Sequence, residues 1–475
     1  MDPVDRELPP ELFDSALRWL EELTAISSPS GDRAGLLRMA KRLGEALAER
    51  GLEPEISMVE ARDSPDAARA GRTETRGPDQ DSLQATPVAG AGRGEAAAGG
   101  LPVLVARPSR GPLGRRGRRR ADRQGGDLHA STGHLLLIGH LDTVLPAAVP
   151  RRRDGALVAT GAVDMKGGFA TLLGALDLLA LRGVAPAADL VLVAVPDEEV
   201  GGELSRAAVE QWGEAARALW VLEPGEPGSV EGAETVVAGR RGLFNWRLSV
   251  RGQAAHAGLH YWDGKSALAA AARWCTEAER LSRPGAGPTV CVARLVAGEA
   301  GFVTDLATAH PLLGSDRQLN LVPDRALAEG EARFLTRTDC DLLTQRLAAL
   351  AAEIGATTGT ALELECAPPI PPVDPSGPQR ANCERAVRFA TARGWTLEIE
   401  DQRGGISFPN FLPDPGRLPI LDGLGPIGGG MHTRAEYVDL RSLRRRISLL
   451  ADLLREDAQS PAQPIEPTNR PPKSK

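Results

Sequence analysis

Hydrophobic spacing divides this chain into stretches of different character. Over residues 11–50, Leu12, Leu17, Leu20 and Leu23, then Leu36, Leu37, Leu43 and Leu47, recur at helical spacing. Ser27-Ser28-Pro29-Ser30-Gly31-Asp32 interrupts that pattern and offers an N-cap to the second helix. Further on, Leu135–Ile138, Leu190–Val195 and Ala218–Leu222 are short continuous apolar runs, alternating with helical segments such as Ala170–Leu181. Runs of this length without polar alternation suit parallel strands buried on both faces. Between residues 243 and 365 the pattern changes. Leu243–Val250 alternates like a strand with one wet face, Ser266–Leu281 and Asp341–Glu353 read as helices, and Glu329–Leu335 and Ala361–Cys366 as strands. The expectation is an α/β unit with a mixed, mostly parallel sheet flanked by helices, interrupted by a separate α+β unit.

Other stretches lack the apolar content to pack. Residues 60–100 and 108–131 are dominated by Ala, Gly, Arg, Asp and Pro and read as a disordered insertion around a short strand at Leu101–Ala106. The run Arg115–Arg120 sits in the second of these; a solvated loop is its default reading, and salt-sensitive RNA binding the alternative. The Pro-rich tail, 457–475, reads as unstructured. The chain is 475 residues long with 42% hydrophobic and 25% charged residues and a net charge of −7, which fits a two-domain soluble enzyme and gives no sign of a nucleic-acid partner. No apolar run approaches the roughly 20 residues that cross a bilayer, and the acidic start Met1–Glu7 lacks a signal peptide's hydrophobic segment. Five scattered cysteines (275, 291, 340, 366 and 383) suggest free thiols in a reducing compartment. Any metal must then be held by His and carboxylates.

Such residues fall at the ends of the apolar runs. His140 follows Leu135–Gly139, with Asp142 two residues on; Glu198 and Glu199 follow Val191–Asp197; Glu223 follows Leu219–Leu222. His432 lies in a Gly-rich loop, and Asp164 opens a helix within Gly161–Gly168. Open α/β sheets place ligands at the carboxyl ends of their strands. Imidazole and carboxylate without thiolate suit zinc, manganese or cobalt, and two His with three carboxylates suffice for two ions sharing a bridging carboxylate. Each residue alone has a plainer reading: a packed His, a solvated Asp-Glu-Glu loop, a helix cap at Asp164. Together they are harder to dismiss.

The segments Gly139–Val144, Gly161–Gly168, Pro196–Gly202, Leu222-Glu223-Pro224, Gly252–Gly258, Asn320–Asp324 and Gly428–Tyr437 occur in one order over about 300 residues. In these the chain resembles the di-zinc exopeptidase and amidohydrolase family of glutamate carboxypeptidase, acetylornithine deacetylase, succinyl-diaminopimelate desuccinylase and aminoacylase. The resemblance implies two zinc ions, with cobalt or manganese as substitutes. His140 and Glu223 would hold one ion, Glu199 and His432 the other, with Asp164 bridging. Asp142 would orient the ring of His140, and Glu198 would be the general base for a metal-bound hydroxide. His256 would stabilise the oxyanion, often in the partner subunit's site, and Asn320 and Arg333 would engage the substrate.

The implied architecture is a catalytic domain of residues 1–238 and 368–456 and a lid and dimerisation domain at 239–367. The implied protein is a cytoplasmic homodimer cleaving an amide or peptide bond beside a free carboxylate, glutamate-carboxypeptidase-like. An N-acyl-amino-acid deacylase is the alternative within enzymes, and a catalytically silent scaffold the alternative outside them. The implied substrate is a small molecule or short peptide, with no role for nucleic acid or membrane. Two departures stand out: Leu259–Gly264 lacks a Pro usual after the equivalent of His256, and Phe408 stands where relatives often have Asp, in a loop that lines their substrate pocket.

Overall fold

The computed structural model describes residues 8–60, 100–109, 133–300, 303 and 321–459. Most of the expected disordered insertion, the Arg115–Arg120 run, Asn320 and the tail beyond Gln459 lie outside the described residues.

The chain opens with α1 (Pro10–Ala25) and α2 (Arg33–Ala48), separated where the Ser/Pro/Gly stretch predicted a break. Asp32 caps α2, its carboxylate accepting from the Gly35 amide at 3.0 Å. Then come β1 (Leu52–Val59), β2 (Leu101–Pro108) and β3 (His134–His140), and a small pair, β4 (Arg151–Arg153) and β5 (Ala156–Val158). After these run α3 (Gly167–Leu181), β6 (Leu190–Val195), α4 (Glu203–Gly213), β7 (Ala216–Val221) and β8 (Glu234–Val237). The next stretch holds β9 (Gly242–Arg251), α5 (Ala267–Glu279), β10 (Thr289–Gly298), β11 (Arg325–Phe334), α6 (Arg337–Thr358) and β12 (Ala361–Cys366). The chain then returns with α7 (Gln379–Ala392), β13 (Leu397–Glu400), β14 (Ile420–Leu421), β15 (Gly428–Gly429), β16 (Tyr437–Asp439) and α8 (Leu440–Gln459).

The main sheet has six strands in the order β1-β2-β6-β3-β7-β14. Its β6-β3-β7-β14 part is parallel, and β1 and β2 add antiparallel at one edge. Both faces are covered, which is why its central strands carry no polar alternation. Leu135, Leu137, Leu192 and Trp220 pack into the cluster with α1, α3 and α8; Leu136, Ile138, Val193 and Leu219 pack on the opposite side with Phe408 and Phe411. The apolar helix α3 is buried nearly all round, so it contributes core on every side.

A second, wholly antiparallel sheet runs β10-β11-β9-β12. Here Phe244, Trp246, Leu248 and Val250 alternate inward against α5 and α6, and Trp246 meets Trp274 edge-on at 5.0 Å. Two chain crossings join it to the main unit as a short ladder, Arg240 with Val373 and Leu243 with Ile370.

At two places the fold departs from the sequence reading. Pro108 still pairs, opposite Leu52, rather than beginning the insertion. Helix α8 runs to Gln459, past the expected start of the tail at 457, because Asp457 is buried against Arg217 with oxygen–nitrogen distances of 2.9 and 2.5 Å. Among the described residues no helix is long and apolar enough to cross a membrane.

Candidate metal centre

Three strand ends and two loops converge beyond the carboxyl edge of the parallel strands. His140 is the last residue of β3 and is fully buried. Its Nδ1 lies 3.0 Å from the Asp142 carbonyl and 3.3 Å from Asp142 Oδ1, which leaves Nε2 to face the centre of the cluster. There Nε2 is 3.1 Å from Asp164 Oδ1 and 3.6 Å from Glu223 Oε1. Glu223 lies two residues beyond the end of β7. It reaches this position because the first turn of α3 presses against the Leu222 carbonyl; a Cβ on Gly168 would lie 2.0 Å from that oxygen.

Asp142 does more than orient the imidazole. Its Oδ1 accepts from the Glu198 amide and Oδ2 from the Glu199 amide, both at 3.2 Å, and Oδ2 also takes the Ser30 hydroxyl at 2.7 Å. One carboxylate therefore fixes His140 and the turn of the two glutamates together. The turn is closed from its other side by Asp197, which accepts from the Leu204 and Ser205 amides and the Ser205 hydroxyl. Gly201 and Gly202 follow at φ of 103° and 65°, a left-handed pair that returns the chain into α4.

The far side of the cluster comes from the loop after β15. His432 has φ of 62°, a left-handed conformation that costs a non-glycine residue about 1–2 kcal/mol. Its Nε2 sits 3.3 Å from Asp164 Oδ2 and 3.2 Å from Glu199 Oε2. Asp164 thus presents one oxygen to each imidazole. The plainer reading of Asp164 as a helix cap fails: Lys166 precedes α3, no side chain among the described residues caps that helix, and Asp164 stands two residues earlier in the irregular turn Ala162–Lys166.

Donor atoms of His140, Glu198 and Glu223 lie within 4.8 Å of one another, and so do those of His140, Asp164 and Glu199. The electrostatics describe a crowded anionic pocket. Burial pushes the Glu198 carboxyl up to about 7 and Glu199 up to about 8, and lifts Glu223 well above the usual range. Burial opposes charge on His140 too, yet its hydrogen bonds to Asp142 and Asp164 raise it well above an ordinary imidazole. His432 rises to about 9, chiefly through its hydrogen bond to Asp164. Asp164 is buried as well, but the two imidazoles hold its carboxyl below the usual range. Glu223 Oε1 is buried and accepts no hydrogen bond among the described residues. Carboxylates packed this closely, one with an orphaned oxygen, call for cations among them, and an all-N/O donor set fits zinc, cobalt or manganese.

Other expected site residues stand apart. His256 lies in the exposed loop after β9, its Nδ1 accepting from the Gly258 and Leu259 amides at 3.1 Å, and it is not among the residues that converge here. Arg333, on β11, pairs with Glu331 at 2.7 Å and donates to the Gly404 carbonyl. Phe408 is fully buried, its ring centroid 6.4 Å from that of His140, so it packs behind a cluster residue instead of lining an open pocket. Sequence reasoning missed the supporting roles of Ser30, Asp197 and Glu436. None of them carried a local signal: Asp197 reaches the first-turn amides of α4 from outside the N-cap position, which Gly202 fills.

The sequence profile of peptidase family M20/M25/M40 matches residues 136–456. Carboxypeptidase G2 of Pseudomonas sp. (strain RS-16) is 25% identical over 327 residues, covering 68% of this chain and 73% of that protein. Succinyl-diaminopimelate desuccinylase of Granulibacter bethesdensis is 27% identical over 336 residues, 68% of this chain and 82% of that one. Among solved structures, aminopeptidase PepT from Bacillus cereus superposes with a TM-score of 0.66 at 19% identity, covering 94% of this chain and 99% of that one, a likeness of fold. With the match spanning two-thirds of the sequence and the fold agreeing, this chain belongs to peptidase family M20/M25/M40 and is a hydrolase of that family.

Proposed function

We propose that this protein hydrolyses an amide or peptide bond beside a free carboxylate, in the manner of glutamate carboxypeptidases, with two zinc ions in the cluster. The observation that carries the reading is Asp164, whose two oxygens face His140 and His432 separately. His140 and Glu223 would hold one ion, Glu199 and His432 the other, and Asp164 both. When bound, the metal pair makes a water acidic enough to attack at neutral pH and polarises the scissile carbonyl.

Glu198 then takes the proton from the attacking water and returns it to the leaving amine. Its backbone is fixed through Asp142, so the base and His140 keep a constant relation. Arg333 and Asn320 bind the substrate carboxylate and carbonyl; the planar guanidinium suits bidentate carboxylate contact. His256 stabilises the oxyanion. Its exposed position supports delivery to a partner subunit's site, in a homodimer formed through residues 239–367 acting as dimerisation domain and lid. The free cysteines favour a cytoplasmic location.

A second reading, an N-acyl-amino-acid deacylase, is favoured by the comparable similarity to the desuccinylase. Both readings use the same residues on an amide beside a carboxylate. Release of amino acids from a panel of dipeptides, N-acyl-glutamates and N-succinyl and N-acetyl amino acids separates them. Wild type should turn over one of these groups and lose activity to a chelator. Glu198→Ala should keep its metal and fall by about 10²–10⁴-fold. A metal-loaded wild type that releases nothing from any member overturns the proposal.

A further inference from the structure

Glu436 is a buried carboxylate with no part in the chemistry above, and it is only 2% exposed. Its Oε2 accepts from the Gly161 amide at 2.7 Å, and its Oε1 accepts from the Val163 and Asp164 amides, both at 3.0 Å. These amides belong to the irregular turn that precedes α3. A buried N–H without a partner costs about 1–3 kcal/mol, and bonds to a charged acceptor are stronger than neutral ones. The turn's shape therefore depends on an acceptor brought from outside it.

That acceptor comes from the loop that carries His432. The Glu436 carbonyl also takes the Ala159 amide at 3.0 Å, so backbone and side chain together hold the chain from Ala159 to Asp164. Between His432 and Glu436 the chain is closed on itself: the Thr433 amide and hydroxyl both donate to the Gly430 carbonyl, and the Thr433 hydroxyl takes the Ala435 amide. Beyond Glu436, β16 pairs with β5 and β15. His432 and Asp164 are thus carried on two loops locked together through one residue, Glu436.

We infer that Glu436 is a positioning residue for the metal pair, setting the bridging carboxylate of Asp164 at the right place opposite His432. The inference rests on the two-metal reading of the cluster. Glu436 touches neither substrate nor reacting atoms. Its effect reaches the chemistry through the Asp164 backbone, as partners behind a ligand govern metal affinity in other sites.

Glu436→Gln is nearly isosteric but has a single acceptor oxygen, and its amide NH₂ must then face an N–H of the turn. The test is titration of the apoprotein with cobalt(II), following the visible absorption bands and the dissociation constants, with Glu436→Asp and Glu234→Gln alongside. Glu234 is an equally buried carboxylate that binds Ser442, Arg445 and Arg446 and no residue of the cluster, so its variant reports a purely structural loss. The expected result is weaker cobalt binding in Glu436→Gln by about 10–100-fold with altered bands. Glu234→Gln should lose thermal stability with cobalt affinity and bands unchanged. Glu436→Asp keeps the charge but withdraws it by one methylene; it should also bind cobalt more weakly, and it carries the test if the Gln variant does not fold. Wild-type cobalt affinity in a folded Glu436 variant overturns the inference while leaving the metal centre standing. A wild type that takes up no cobalt overturns the metal centre itself, and the inference with it.

Discussion

The two sheets of this protein are built from opposite patterns and serve opposite ends. In the main sheet, β3, β6 and β7 are apolar on both faces, and their chain ends leave the sheet at a common edge. In the second sheet, β9 buries every other side chain and leaves the rest half-buried or exposed. Parallel strands need crossovers, and the crossovers deliver each carboxyl end to the same edge. An antiparallel sheet sends alternate ends to opposite edges and gathers no such cluster. Of the six convergent residues, four (His140, Glu198, Glu199 and Glu223) end or follow parallel strands and none comes from the antiparallel sheet.

The largest effect should come from removing the bridge. Asp164→Asn lowers the charge between two imidazoles while keeping the shape. We expect activity to fall by at least about 10³-fold, the several kcal/mol of transition-state stabilisation attributed to bound metal. Steady-state kinetics at saturating zinc measures it, and activity within tenfold of wild type would break the link between the parallel edge and catalysis.

A pair of core truncations sharpens the contrast. Leu137→Ala in β3 and Trp246→Ala in β9 each remove a fully packed side chain and should cost about 2–5 and 3–5 kcal/mol. Only Leu137→Ala lies on the strand that delivers His140, so it alone should also weaken zinc binding. Denaturant unfolding followed by zinc titration distinguishes them; equal zinc affinity in the two variants would contradict the division of labour.

How much of this was legible in the sequence follows the same divide. The strands β3, β6 and β7 were readable because burial on both faces writes a continuous apolar run. The edge strand β1 was not: it contains Pro54, and of its residues only Leu52 is buried, so its sequence resembles a loop. His140, Glu198, Glu199 and Glu223 were readable because they follow apolar strand runs, and Asp164 and His432 through the family resemblance. Their supports, Asp197 and Glu436, were not, because both act by accepting backbone amides, a role the sequence does not encode at any fixed spacing. The resemblance implies a pocket-lining loop around Phe408; the fold turns its ring inward against His140, with Ser407 and Asn410 closing the chain around it as a tight cap.

The smallest expected effect concerns His134, at the opposite end of β3 from the cluster. Burial pushes its imidazole below the ordinary value, so the folded chain holds that proton less tightly than the unfolded one. Its contribution to stability is present above the unfolded value of about 6.5 and is lost as pH falls from there through the folded value. His134→Gln should therefore show a shallower loss of melting temperature between pH 7 and pH 5 than wild type. Identical slopes would show that this end of the strand is not sensed by protonation.

The most direct test of the central claim is a count of metal per chain. Wild type and Asp164→Asn, loaded with zinc and dialysed, are compared by elemental analysis. A shared-carboxylate site predicts about two zinc ions in the wild type and fewer than one in the variant, because one side chain serves both ions. One zinc ion in each, or two in each, would contradict it.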